Sequence, residues 1–452
     1  MVKGVKGKQA DYYFSARLRR WARCLVLVVA LLPFSLFPSS PFPPNVFAGG
    51  VSTETREGRL AVFDDVWETI RERYYDPTFH GVDWQAQREV FRPLAAEATS
   101  AAKLYSILRS MIGSLRDAHT RVRTPDEKFD WRTPRVISVG LSVREVEGAA
   151  VVVAIEREAE AERLGLRAGD TIVSIDDEAA QDVFRRRLRE QGGSSTAAAA
   201  RLRAMATLFD GPRGSTVKIV WRSGDGAEKT GSLRREWRER SAAVRVRELA
   251  GGNALVEFDV FAPDTALEFT RTAMSKLRTA RGIVLDLRNN GGGDAEAMIE
   301  IASSFLPTGQ SLGRFTDRTG RSSFEARTRS ALLLSADFVT RLQAPVVVLA
   351  GERTSSAAEI FAHALKEARR ARVIGQTTCG CVLAIRRRHT LPDGGELDVS
   401  EMDYRTSAGA RLEGVGVVPD EMITVKKTDL LARRDRALER ALAYLASQNR
   451  KP

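Results

Sequence analysis

From about Thr53 to Arg121, apolar residues recur at three- and four-residue spacing. Phe63, Val66, Ile70 and Tyr74 form one such stripe; Leu104, Ile107, Leu108, Met111 and Leu115 form another. That period lines one face of a helix, so the pattern predicts a small helical domain over 53–133, with the polar tetrapeptide Asp117-Ala118-His119-Thr120 near its end. The rhythm then changes. Val139–Val143, Ala150–Ile155, Thr171–Ile175 and Thr216–Arg222 are short apolar runs that read as strands. Between them lie a helical segment, AEAERLGL, and an Arg- and Ala-rich helical insertion from about Asp177 to Leu208. A Gly-Asp-Gly turn after Ser223 belongs to this unit, which spans 134–240.

A third texture covers 241–428. Leu255–Phe258, Gly282–Leu287 and Pro345–Ala350 are strand-like; residues 264–279, Ala295–Phe305 and Ser356–Arg370 carry helical patterns. Strands alternating with helices imply a layered α/β domain. A final amphipathic helix occupies about Leu430–Gln448, within 429–452. The expectation is a multidomain α+β protein without internal repeats, and the 452-residue length agrees with about three domains.

Composition changes this picture only at the N-terminus. The net charge is +12, but residues 1–48 hold seven basic residues against one acid, so half of the surplus lies there. The remaining +6 is a weak argument for nucleic acid, and no basic motif is interleaved with aromatics. Within 1–48, Arg17, Arg19, Arg20 and Arg23 precede an apolar stretch from Cys24 to Phe37, and Val46-Phe47-Ala48 ends a Pro/Ser-rich stem. This is the layout of an export signal. Fourteen residues is short for a membrane span, which needs about 20. The alternative is an uncleaved N-terminal membrane anchor; either way the bulk is exported, to a periplasmic or extracellular compartment. Only Cys379 and Cys381 remain beyond this segment, too few for a disulfide framework.

Two motifs carry chemistry. Gly282-Ile283-Val284-Leu285-Asp286-Leu287-Arg288-Asn289-Asn290-Gly291-Gly292-Gly293 is a strand running into side-chain-free backbone. Glu352-Arg353-Thr354-Ser355-Ser356-Ala357-Ala358-Glu359 opens a helix with two serines. Together they resemble peptidase family S41, which holds the carboxyl-terminal processing proteases and the tricorn core. The segment 134–240 resembles a PDZ domain: Val139-Gly140-Leu141-Ser142 matches the loop that receives a peptide carboxylate, and Arg163–Asp170 matches the turn that follows in such domains. The resemblance covers about 55–425. It implies a β-sandwich-like PDZ domain and a crotonase-like α/β spiral for the peptidase domain.

The resemblance also implies roles. Ser356 aligns with the family nucleophile, with Ser355 as rival, since a serine before a helix is ordinarily an N-cap. Ala357 N–H and either Gly291 or Gly292 would supply the oxyanion hole. Relatives of the Ser-Lys type place a lysine 25 residues after the serine and a Gln four residues beyond. Here those positions hold Cys381 and Ile385, which excludes that dyad at the expected place. His119 in Asp117-Ala118-His119-Thr120 matches the branch that uses histidine. Among the four histidines, His363 lies two helical turns from Ser356, about 10 Å along the axis, and His80 and His389 sit in no motif. Glu413 holds the position of the family's third member, with Asp117 and Glu359 as competitors. The expected activity is a serine endopeptidase acting on protein or peptide substrates of the exported compartment, without metal or cofactor, recognising C-termini through the PDZ loop. The competing reading is an inactive relative that binds peptides or apolar ligands. Cys379-Gly380-Cys381 reads either as a local disulfide or redox gate, or as small core residues. Oligomeric state is left open by the sequence.

Overall fold

The computed structural model describes residues 50–127, 135–239, 243–330 and 341–449, so the expected signal or anchor over 1–48 lies outside the described residues. Three helices come first: α1 (Arg56–Arg73), α2 (Trp84–Ala96) and α3 (Ala101–Gly113). Each starts at a side-chain cap, from Thr55, Asp83 and Ser100 respectively, which satisfies amides the helix cannot. Their stripes meet in one core of Val62, Phe63, Val66, Ile70, Leu104, Leu108 and Met111. Leu383, Leu391, Leu397 and Val399, from nearly 300 residues downstream, complete that core. The helical region is therefore packed onto the segment 383–399.

Strand β1 (Arg121–Arg123) fixes the join. It pairs antiparallel with β18 (Glu396–Asp398), which pairs in turn with β17 (Arg388–Thr390). The loop 117–120 immediately precedes β1. Its position thus follows from a long-range strand pairing that no local pattern announces.

The second region is a sheet in the order β3 (Leu141–Val146), β4 (Ala149–Ile155), β5 (Thr171–Ile175), β7 (Thr216–Arg222), β8 (Glu228–Arg234), with β6 (Glu178–Ala179) off β5. A ribbon of β2 (Arg135–Ser138) with β9 (Glu236–Glu239) leads in and out. The short helix α4 (Glu160–Arg163) precedes β5. The expected insertion resolves into α5 (Ala180–Glu190) and α6 (Ala197–Ala206). The break between them is at Gly192-Gly193: a Cβ on Gly192 would lie 2.8 Å from the Gly113 Cα, so only glycine permits that approach to the end of α3. Ala204 and Met205 of α6 pack with Leu141 and Val143, and β3 is the sheet's edge.

The third region is a six-stranded sheet: β10 (Arg245–Leu249), β11 (Asn253–Glu257), β12 (Gly282–Asp286), β15 (Val346–Ala350), β16 (Ala371–Gly375), β20 (Glu421–Met422). All neighbours are parallel except the β10 edge. On one face lie α7 (Pro263–Glu268), α8 (Met274–Leu277), α9 (Ala295–Ser303) and α10 (Ala357–Glu367). On the other, Ala437, Ala441 and Leu445 of α12 (Arg436–Gln448) cover Leu255, Val284, Val347 and Ile374. Burial on both faces explains why β12 and β15 read as unbroken apolar runs. A small sheet of β14 (Ser322–Arg327), β13 (Ser311–Thr316) and β19 (Asp403–Arg405) flanks this layer. The single expected C-terminal helix is in fact two, α11 (Lys427–Leu431) and α12, broken where Arg433 takes φ +52°.

Candidate active site

Strand β15 leaves the sheet at Ala350, and seven residues later α10 begins at Ala357. Thr354, fully buried, ties this connection down: its hydroxyl donates to the Leu287 carbonyl (2.7 Å) and accepts the Gly351 amide (3.0 Å). Ser356 is the residue just before α10, at φ +56°, ψ −126°. For a residue with a Cβ this backbone costs about 1–3 kcal/mol and persists only when its surroundings impose it. Here the Ser356 N–H donates to the Cys381 carbonyl (2.8 Å) and to Glu359 Oε2 (3.1 Å). The Ala357 N–H, at the first position of the helix, has no partner among the described residues.

Glu359 is the hub behind the serine. Its carboxylate is fully buried and also accepts Thr378 Oγ1 (2.5 Å), Gly380 N (2.7 Å) and Cys381 N (2.9 Å). Burial pushes its pKa up to about 7 against the pull of these donors. It stands at the third position of the helix, where a capping-box carboxylate belongs, and besides the Ser356 amide it serves a loop 20 residues away. Removing the carboxylate leaves several buried donors unpaired at about 1–3 kcal/mol each. Glu359→Leu should therefore lose about 3 kcal/mol or more of stability, read as a lower urea midpoint; an unchanged midpoint would show the hub to be dispensable.

The loop held by Glu359 contains a Cys379–Cys381 disulfide. Cys379 N donates to the Thr354 carbonyl (3.0 Å), so both ends of the loop are pinned to the 354–356 turn. Glu359, Cys379 and Cys381 group metal-capable atoms within 4.8 Å. The donor set does not fit a resident metal, because the two sulfurs are bonded to one another and the carboxylate is occupied by four residues' donors.

The glycine run lies against the serine. A Cβ on Gly292 would sit 2.6 Å from the Ser356 Cβ and 2.9 Å from the Ala357 nitrogen, so side-chain-free backbone is needed there. The expected donors are not both free, however. Gly291 N–H donates to the Asp259 carbonyl (3.2 Å), and Gly292 N–H to Asn290 Oδ1 (2.9 Å). Of the three amides expected for an oxyanion hole, Ala357 alone is unengaged. For Gly292 the cause is the buried Asn290, whose Nδ2 is anchored on the Phe258 carbonyl (2.9 Å) and whose oxygen takes the Gly292 amide.

His119 sits on the loop before β1. Asp117, buried, organises that loop by accepting His119 N (2.6 Å), Thr120 N (3.2 Å) and the Thr120 hydroxyl, while Thr120 Oγ1 accepts Ser400 N (3.1 Å). Asp117 is thus spent on backbone, as a turn residue. The His119 Nδ1 is buried without a hydrogen-bond partner. Desolvation lowers the imidazole to about 4, with Asp117 opposing. A neutral imidazole at pH 7 has the protonation state a general base needs. Two of the other histidines are committed elsewhere, His80 Nδ1 to the Leu115 carbonyl (2.8 Å) and His389 Nε2 to Glu401 (3.3 Å); His363 Nε2, like His119 Nδ1, is buried without a hydrogen-bond partner among the described residues, 3.9 Å from Glu367.

Glu413, also buried, accepts Val382 N (2.6 Å) and Leu383 N (3.2 Å), the residues directly after the disulfide. Desolvation raises it to about 7, opposed by the Ser195 hydroxyl and the Val382 amide and reinforced by the charges of Asp117 and Glu359. Ala118 packs against Cys379, Cys381 and Ala199. The structure therefore gathers the 117–120 loop, the 354–359 turn, the disulfide loop and Glu413 around one another. No hydrogen bond joins the His119 ring to Ser356 or Glu413 among the described residues. Such bonds are often long or absent in a ligand-free active site and tighten on binding. Sequence reasoning missed the structural work of Asn290, Thr354, Thr378 and Ser195; of these, only Asn290 and Thr354 sit in a motif that could have flagged them.

In the Val139–Ser142 loop, Gly140 takes φ +77°, its N–H is bonded by Ser138 Oγ (3.0 Å) and its carbonyl accepts Glu156 N (2.9 Å). Val139 and Leu141 are buried in the sheet's core, and Ser142 stays half-buried.

A serine held on a strained strand-to-helix turn beside a glycine loop is the architecture of a serine-type hydrolase, and this chain is a serine-type endopeptidase. Residues 254–423 match the model of peptidase family S41, and residues 56–113 match the Tricorn protease C1 domain. Carboxyl-terminal-processing peptidase 2 of Arabidopsis thaliana, a chloroplastic protein, is 29% identical over 377 residues, 79% of this chain and 68% of that one. Among solved structures, a photosystem II D1 C-terminal processing protease superposes with a TM-score of 0.54 at 25% identity, covering 81% of this chain and 93% of that one. Mature CPAF, solved with lactacystin, gives a TM-score of 0.64 at 14% identity over 87% and 98%, a likeness of fold.

Proposed function

We propose that Ser356 is the nucleophile of a Ser-His-Glu endopeptidase, with His119 as general base and Glu413 as the carboxylate that supports it. The observation that carries this reading is Ser356 itself, held at positive φ by Glu359 and the Cys381 carbonyl, next to the unengaged Ala357 N–H. His119 takes the Ser356 proton as the oxygen attacks the peptide carbonyl; the Ala357 N–H stabilises the oxyanion; the imidazolium then protonates the leaving amine, and water resolves the acyl-enzyme. A second oxyanion donor comes from Gly291 or Gly292 once substrate displaces the Asp259 or Asn290 contact. No lysine is required.

The 134–240 region, with its edge strand β3 flanked by α6, is read as a PDZ domain that receives substrate C-termini at Val139–Ser142. The α/β layer is read as a crotonase-like spiral. Substrates are exported proteins, which fits the basic-then-apolar pattern of residues 1–48.

The pH dependence follows from His119 and Glu413, with Glu359, raised by burial to about 7 as well, titrating in the same range. His119 is neutral above about 4, and Glu413 ionises only above about 7. The competent pair, neutral imidazole with carboxylate, accumulates as pH rises through about 7, so kcat/KM should climb across that range and then level off. Glu413→Gln should lower activity and remove that limb. A profile that falls between pH 6 and 8 would contradict the assignment. An inactive binding protein would instead show no turnover at any pH and no reaction with a fluorophosphonate.

A further inference from the structure

We infer that Arg144 is a specificity determinant: it selects substrate C-termini that carry an acidic side chain at the fourth residue from the end. The inference rests on the reading of Val139–Ser142 as the loop that receives a C-terminal carboxylate, and adds which sequences that site would favour.

Strand β3 is the edge of its sheet and pairs with β4 alone. Its outer edge therefore offers the backbone groups to which an extended peptide can add as a further strand. Successive side chains of a strand point to opposite faces. Leu141 and Val143 go inward and are buried with Ala204 and Met205 of α6. Ser142 and Arg144, the alternate residues, both border a cleft of about 720 Å³, bounded elsewhere by the ends of β15 and β16 at Ala350 and Gly375. The register of an antiparallel peptide follows from where its carboxylate sits. With the carboxylate at Gly140–Leu141, the last residue lies opposite Leu141, and each step along β3 is one step back along the peptide. The second residue from the end then faces Ser142, the third Val143 and the fourth Arg144. Side chains directly opposite in such a pair have Cβ atoms about 5 Å apart, within reach of a guanidinium and a carboxylate. The fourth-from-last side chain also shares the cleft face with Arg144, whereas the third-from-last points to the core side.

Arg144 is poorly compensated where it stands. It is half-buried, its Nε is buried without a hydrogen-bond partner, and its Nη2 donates to a neutral acceptor, Asn289 Oδ1, at 3.2 Å. Other arginines on the cleft have carboxylates: Arg238 pairs with Glu156 (2.9 Å), Arg288 with Asp435 (2.8 Å) and Arg436 with Asp429 (3.8 Å). Arg144 has none at such a distance among the described residues. A carboxylate from the peptide would meet the guanidinium fork with two charge-assisted bonds, which the single contact to Asn289 does not match.

The test measures binding of dye-labelled hexapeptides to the full chain by fluorescence anisotropy, using Ser356→Ala so that bound peptide is not turned over. The peptides are identical except for glutamate or glutamine at the fourth position from the end. The glutamate peptide should bind about tenfold more tightly, the scale of a charge-assisted bond gained in a partly desolvated site. Adding Arg144→Gln should reduce that preference to less than about twofold while leaving the glutamine peptide's affinity unchanged, which also shows the site to be folded. Moving the glutamate to the third position from the end should remove the advantage. Equal binding of the two peptides, a preference that persists in Arg144→Gln, or a preference for the acid at the third position would each overturn the inference. Amidated versions of the same peptides separate it from the reading on which it rests. If free-acid peptides bind no better than their amides, the C-terminus reading fails and the inference with it. If the free acid is required but glutamate and glutamine bind alike, only the inference fails.

Discussion

Ser356→Ala is expected to lower turnover by about 10⁶-fold, the scale on which removing the nucleophile of a coupled catalytic unit acts, with the fold retained. Most contacts that organise the turn survive: the Cys381 and Glu359 Oε2 interactions are made by the backbone N–H of residue 356, which alanine keeps, and the hydroxyl's share of the capping box with Glu359 is a small loss beside them. The measurement is steady-state peptide hydrolysis beside a urea melt. Loss of activity with an unchanged midpoint supports the assignment. Retained activity would hand the role to Ser355, whose hydroxyl lies 4.0 Å from the Cβ position of Gly291.

His119→Ala should cost about as much, because a serine hydroxyl without its base is a weak nucleophile and the effects of the two residues do not add. Cys381→Ala is the informative companion. Its carbonyl, which accepts the Ser356 N–H, survives the substitution, and it stands 25 residues after Ser356, the spacing at which the Ser-Lys type carries its lysine. It should retain most of the activity. A dead Cys381→Ala variant with an active His119→Ala variant would reverse the assignment of base. The double variant Ser356→Ala/His119→Ala should be no slower than either single one.

The parts of this structure that were legible in the sequence are those set by local periodicity. Strands at 282–286 and 346–350 and the helices after them were expected within a few residues, because burial on both faces leaves continuous apolar runs. The C-terminal helix was expected whole and is split at Arg433, a charged residue in a left-handed turn that no apolar pattern marks. In the candidate site the motifs singled out Ser356, the glycine run and His119, and the structure sets the glycine run against Ser356. What stayed hidden depends on long-range pairing. The antiparallel match of Arg121–Arg123 to Glu396–Asp398 decides where His119 goes, and a three-residue strand has too little signal to predict it. Glu359 looked like a first-turn carboxylate serving its own helix; its partners at 378, 380 and 381 are visible only in three dimensions. The glycine donors were expected free, whereas the Asn290 side chain in the same motif occupies one of them. The disulfide was one of two readings left open, since spacing alone does not tell paired cysteines from small core residues.

The central claim is that one hydroxyl, on a turn strained to positive φ, is activated for attack. Incubating the full chain with a fluorophosphonate and mapping the adduct by peptide mass spectrometry tests it most directly. The account predicts a single modification on Ser356, slowed strongly in His119→Ala and absent in Ser356→Ala. An adduct on Ser355, or none on the folded wild-type protein at pH 8, would contradict it.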